Sequence, residues 1–193
     1  DNAIFYSLRK NKLKSLKYLV SIGCSINKFQ YLSIICKKGY LNILKYFINQ
    51  NIDIHEKNHE AFVIAAKYGQ FNIVNFLLNH KTYNIDGNIK KISEKSIDKA
   101  LIEASRGGFY EIIKLLIEHG ANIHAQNDAS LLAATINGCY NVIFFLVNLG
   151  SDIDNSEAII PASQFRNVRI LELFLEKGCN IHIKNDEALM VAA

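Results

Sequence analysis

The chain has 193 residues, half of them hydrophobic and 21% charged, with one proline, ten glycines and no tryptophan. That much apolar side chain excludes a disordered segment, and no run of about 18 uncharged apolar residues exists to form a helical membrane span. The net charge of +4 conceals a polarity: residues 1–98 hold 15 Lys and Arg against 7 Asp and Glu, whereas residues 99–193 hold 7 against 11.

Taken in chain order, one pattern of two short apolar helices recurs. Equivalent registers begin at Ala3, Tyr31, Ala61, Ala100, Ser130 and Ala158, and a seventh at Ala188 is cut short. The steps between them are 28, 30, 39, 30, 28 and 30 residues. In the third repeat Phe62, Ala65 and Ala66 share one helical face, and Ile73, Phe76 and Leu77 share the next. Gly39, Gly69, Gly108 and Gly138 close first helices, and Gly23, Gly120, Gly150 and Gly178 close second ones, each suited to a left-handed residue past a helix end. Asp98, Asp128, Ser156 and Asp186 stand two residues before a register start, where a side-chain oxygen is expected to N-cap the first helix. Ala65, Ala104, Ala134 and Ala162 recur at one phase and let neighbouring helices approach closely. Helices this short are unstable alone, so each repeat must bury its apolar face on the next, a quasi-one-dimensional fold.

These residues resemble ankyrin repeats. The first helices follow A-L-x-x-A-A-x-x-G, the second are rich in I-V-x-x-L-L, and Gly120-Ala121-Asn122-Ile123-His124 is similar to the family's G-A-D-V-N. Two departures stand out. No repeat carries T-P-L-H, for which Glu60-Ala61-Phe62-Val63 and Glu187-Ala188-Leu189-Met190 substitute, and the period is about 30 rather than 33. The resemblance implies an all-α solenoid of stacked helix–turn–helix units with short hairpin or loop fingers, one array over residues 1–193. The short period looks like that of ankyrin arrays from amoeba-infecting giant DNA viruses and some protists. It implies a protein-interaction scaffold without a cofactor, in the cytoplasm (the host's, if viral) or the nucleus.

The pattern breaks in three places. Lys81 replaces an expected glycine, and an insertion over 82–98 follows, with turn signals at Asn84–Asn88 and the cations Lys90, Lys91 and Lys95. Insertions in such arrays often map to the binding face, although lengthening a surface loop also costs little. In the sixth repeat Pro161 is expected to kink or fray its first helix, and Arg166 occupies a left-handed glycine position. The chain starts on Asp1 and stops at Ala193 inside a first helix, which reads as a segment of something longer.

Repeat phase absorbs most of the reactive side chains. His55, His124 and His182 share one phase, and His80 and His119 another; only His59 stands apart. Cys24 and Cys179 share a phase and Cys36 falls at a small-residue core position, so packing is expected of them and neither a metal site nor a disulfide. No nucleophile, base and orienting group converge, and no enzyme is expected. The remaining pattern is a basic stripe at the ends of first helices: Arg9-Lys10, Lys37-Lys38, Lys67-Tyr68 and Arg106-Gly107, absent from Ile136-Asn137 and Gln164-Phe165. Cations favour helix C-termini through the macrodipole, but that preference alone would have placed them in the fifth and sixth repeats too. The resemblance puts this phase in the concave groove. Lys57 and Gln126 in the fingers, and Lys90 and Lys91 in the insertion, complete the candidate set. A partner protein presenting an acidic or phosphorylated segment is the leading expectation. A nucleic-acid or phosphate ligand on the basic half is the alternative, as is an adaptor for a ubiquitin ligase acting through a segment outside this chain.

Overall fold

A computed structural model describes residues 2–26, 29–80, 82–83 and 89–192, of which the side chains at 82, 83, 89, 90 and 192 lie outside the description. The chain divides into two compact bodies, residues 1–96 and 97–193. The first holds α1 (Asn2–Arg9), α2 (Leu13–Ser21), α3 (Phe29–Lys38), α4 (Leu41–Asn49), α5 (Glu56–Lys67), α6 (Phe71–Asn79) and the strands β1 (Thr82–Tyr83) and β2 (Ile89–Lys90). The boundary falls inside α7 (Glu94–Gly107); α8 (Tyr110–Glu118), α9 (Ala125–Ile136), α10 (Tyr140–Asn148), α11 (Ile159–Gln164), α12 (Val168–Glu176) and α13 (Ile183–Ala192) follow.

Within each body first helices stack on first helices: α3 lies between α1 and α5, and α11 lies between α9 and α13. Second helices follow the same rule, α10 against α12. The faces predicted from the 3.6-residue period are buried with one exception in the third repeat, Phe76, which is only half-buried. Phe62, Ala65, Ala66, Ile73 and Leu77 are buried in the third repeat, and Phe47, Phe62 and Phe174 are among the largest fully enclosed side chains. Each such Phe, Ile or Leu side chain contributes about 1.5–3 kcal/mol by leaving water, which no nine-residue helix could supply from its backbone alone. The eight closing glycines all have positive φ, from 66° to 99°.

The fingers take the loop form, and the loop is unusual. Lys57-Asn58-His59, Gln126-Asn127-Asp128 and Lys184-Asn185-Asp186 each run through three consecutive left-handed residues, φ 49–65°, before the right-handed helix begins. An Asx turn leads into each: His55, His124 and His182 donate their backbone N–H to Asp53, Asn122 and Asn180 Oδ1 at 2.8–2.9 Å. A left-handed residue with a side chain costs about 1–2 kcal/mol, least for Asn and Asp, which dominate here. Side-chain hydrogen bonds offset that cost and fix the turn.

Those hydrogen bonds correct the capping expectation. Asp98 lies inside α7 and Asp128 within its left-handed turn, so neither N-caps its helix; their Oδ1 atoms instead accept the backbone N–H of Asn122 (2.8 Å) and Asp152 (3.0 Å) in the following repeat. Asp186 pairs with His182 Nδ1. Ser156 acts locally, accepting from the Ala158 N–H at 3.3 Å, while Asp154 makes the bond to the next repeat through Asn180 N–H at 2.9 Å. An aspartate at this spacing can cap an isolated helix, whereas Asp98, Asp128 and Asp154 join repeats.

Pro161 does not kink its helix. α11 starts late, at Ile159, so Pro161 sits in the first turn, where no backbone donor is required, and the segment from Ile153 to Ala158 is a turn. Arg166 does adopt the left-handed position, φ 51°. The insertion is partly ordered: β1 and β2 pair antiparallel, Thr82 with Lys90 and Tyr83 with Ile89. Its last five residues, 94–98, become the first turn of α7, while 84–88 lie outside the described residues.

Candidate functional site

The basic row of the first body is built at the ends of α1, α3 and α5. Arg9, Lys37-Lys38 and Lys67 occupy the last turns, where their charge complements the exposed carbonyls. The residue after each closing turn reaches back to the previous repeat. Tyr40 donates through its hydroxyl to the Arg9 carbonyl (3.4 Å), and Gln70 Nε2 donates to the carbonyls of Lys37 (3.1 Å) and Tyr68 (3.2 Å). Gly39 makes room for this: a Cβ there would fall 2.1 Å from Gln70 Oε1. The ends of α1 and α3 in this row are therefore held in place by the following repeat.

Of the sequence candidates, Lys37 and Tyr68 are brought together, the ammonium 4.5 Å from the ring centroid and the ring 40% exposed. Arg9 lies over its own helix's Phe5, 5.8 Å away, and Lys10, Lys38 and Lys67 are exposed. Lys57 is set apart in its left-handed turn, 4.2 Å over the Phe29 ring. Lys91 is exposed, and Lys90 belongs to β2 with its side chain outside the described residues. In the second body Arg106 is exposed with Nε 3.7 Å from Glu103 Oε2, and Gln126 is exposed in its turn. At the same phase as Arg106 the later repeats show apolar surface, Ile136 at 43% exposure with Phe165 one residue further along the pattern at 58%.

Several features escaped sequence reading. His59, the histidine outside both phases, takes the place of Asp128 and Asp186: its Nδ1 meets Ser96 Oγ (3.2 Å), which donates to the Asn58 carbonyl (2.8 Å). His124 Nδ1 lies 3.0 Å from Asp128 Oδ1, so that carboxylate serves a histidine and a neighbouring backbone at once. Burial pushes the Cys36 thiol up to about 12. Cys179 also rises to about 12, through burial first, then a hydrogen bond from its thiol to Asp154 and the charges of Asp154 and Asp152. Among the described residues no group of three or more His, Cys, Asp or Glu is placed to hold a metal ion.

The ankyrin-repeat family model, three tandem copies, matches residues 4–91 and again 88–157. The chain belongs to the ankyrin repeat family. An ankyrin repeat protein of Acanthamoeba polyphaga mimivirus is 30% identical over 153 residues, covering 79% of this chain and 20% of that protein. A second mimivirus ankyrin repeat protein is 28% identical over 186 residues, 95% of this chain and 35% of its own length. The ankyrin repeat and KH domain-containing protein mask-1 of Caenorhabditis elegans is 27% identical over 166 residues, 82% of this chain and 6% of that protein. The chain thus spans about a third or less of these relatives. The crystal structure of the human ASB11 ankyrin repeat domain superposes with a TM-score of 0.74 at 20% identity, over 97% of this chain and 90% of that one. Ankyrin repeats are a general protein–protein interaction module, and no described helix here is long and apolar enough to cross a membrane.

Proposed function

We propose that the chain is a protein-interaction scaffold whose concave groove takes an acidic or phosphorylated segment of a partner protein. Arg9, Lys37 and Lys67 with Tyr68 carry the contact in the first body, and Arg106 is the cation at the same repeat phase in the second. The observation that supports this reading most is the Lys37–Tyr68 pair: a cation fixed 4.5 Å over an exposed ring offers a carboxylate or phosphate both charge and an apolar floor. Charge of this kind chiefly accelerates association and sharpens salt dependence, while the aromatic anchors the complex.

The test is a pulldown from host-cell extract with the Arg9→Glu, Lys37→Glu, Lys67→Glu, Arg106→Glu chain beside the wild type, each partner then re-assayed in purified form. Loss of binding with an unchanged circular-dichroism spectrum is expected; retention at wild-type affinity removes the groove assignment. One observation favours a second reading, a nucleic-acid ligand: residues 2–52 hold nine Lys and Arg and no Asp or Glu. Retention of single-stranded DNA or RNA at low ionic strength, weakening steeply with salt, is its signature.

A further inference from the structure

The second helices of the first body carry a surface that the groove reading does not use. α2, α4 and α6 contain Lys14, Lys17 and Lys45 and not one carboxylate, and all three lysines are exposed. Neither the helix macrodipole nor ion pairing within the helix accounts for them. Lys14 lies in the first turn of α2, where the macrodipole disfavours a cation, Lys17 stands at the centre of that helix, and none of the three has an acidic neighbour one helical turn away. Two of the lysines run along the row of helices. Lys17 Nζ lies 5.6 Å from the Tyr46 ring centroid in the next repeat, and Lys45 Nζ lies 5.4 Å from that of Phe76.

The row ends at a seat. Phe76 stacks on His80 with centroids 5.0 Å apart and an interplanar angle of 22°. Beside them is a shallow depression of about 390 Å³ lined by Leu41, Asn72, Asn75, Phe76, Asn79 and His80. Asn79 Nδ2 donates to both the carbonyl and the side-chain oxygen of Asn75 at 2.9 Å, which fixes one rim. The second body has an aromatic depression on its own second helices, lined by Tyr110, Tyr140, Phe144 and Phe145. There α8 and α12 bring Glu111, Glu118, Glu172 and Glu176, whereas α2, α4 and α6 together bring lysines and no carboxylate.

We propose that this face is a second docking surface, distinct from the groove, for an acidic polypeptide segment bearing one large apolar side chain. Its carboxylates meet Lys14, Lys17 and Lys45, and its apolar side chain enters the depression beside Phe76. A polypeptide fits better than a nucleic acid for two reasons. Ammonium and imidazole groups already lie on Tyr46 and Phe76, where bases would have to stack. The seat is rimmed by asparagine amides, whose paired donor and acceptor match a peptide backbone.

Fluorescence anisotropy with the full chain tests this using three probes: a labelled glutamate-rich peptide containing one Phe, the same peptide with Ala in its place, and a labelled single-stranded oligonucleotide. The Phe peptide is expected to bind roughly tenfold more tightly than the Ala peptide and than the oligonucleotide, the gain of burying one aromatic anchor. Lys14→Glu, Lys17→Glu, Lys45→Glu should weaken it by roughly tenfold or more, and by as much in the Arg9→Glu, Lys37→Glu, Lys67→Glu background, where the groove no longer takes acidic segments. Equal binding of the two peptides, tighter binding of the oligonucleotide, or a loss confined to the groove variant overturns the proposal. Since the groove variant is assayed in parallel, failure here and failure of the groove reading are told apart.

Discussion

Asp128 is 1% exposed, yet it is a carboxylate on a left-handed residue, two conditions that ordinarily destabilise a fold. It persists because Asp152 N–H and His124 Nδ1 both converge on Oδ1 at 3.0 Å. Hydrogen bonds to a charged group contribute about 1.5–3 kcal/mol, so Asp128→Ala should lose at least that in a urea titration; Asp128→Asn, which keeps an acceptor and tolerates the left-handed backbone, should lose about half as much. Ser130 presents the opposite case. It is fully buried with no hydrogen-bond partner for its hydroxyl, at a register where Ala61, Ala100, Ala158 and Ala188 stand elsewhere. Ser130→Ala is therefore expected to stabilise the chain by about 1 kcal/mol. Cys36 gives a pH signature. Its thiol is held up at about 12 by burial, from an ordinary 9.0, so the native state keeps the proton that the unfolded chain releases above pH 9. Between pH 9 and 12 that difference lowers stability by about 1.4 kcal/mol per pH unit, and Cys36→Ala, matching Ala66 at the same phase, should flatten the alkaline limb of the stability curve.

At the scale of elements, the helices were legible because their apolar period is set by local geometry, and the glycines because a positive φ leaves few other choices. The left-handed turns were not. Lys57-Asn58-His59 and Gln126-Asn127-Asp128 share only an asparagine and a polar character, and nothing local distinguishes an aspartate that caps its own helix from one that accepts from the repeat beyond. Likewise, Pro161 announces a disturbance without saying whether the helix bends around it or starts nearer to it; a late start at Ile159 is the cheaper solution. The sixth repeat consequently has a first helix of six residues, closed by Arg166 at φ 51° where Gly39, Gly69, Gly108 and Gly138 stand in others. Arg166→Gly should relieve about 1 kcal/mol, the left-handed penalty less the backbone entropy of glycine, seen as a rise in thermal midpoint. An Asn at that position, as Asn11 in the first repeat, should give a smaller gain.

For the molecule as a whole, the cations of the first two repeats set stability against recognition. Residues 2–52 contain nine Lys and Arg and no Asp or Glu, and Lys14 lies in the first turn of its own helix, at the positive end of the macrodipole. Sequence reading found the stripe at first-helix ends because it repeats at one phase. It passed over the second-helix lysines because Lys17 and Lys45 acquire meaning only when Tyr46 and Phe76 are seen one repeat away. A cation kept for the fold alone should cost stability when reversed; one kept for a partner should do the opposite. Lys14→Glu places an anion at the start of α2 and is expected to add about 0.3–1 kcal/mol in denaturant unfolding at low ionic strength, fading as salt screens both terms. The same variant should weaken the acidic Phe peptide. If Lys14→Glu instead destabilised the chain, the lysine would be serving the fold, and the second-helix face would lose the argument that its cations await anions from elsewhere.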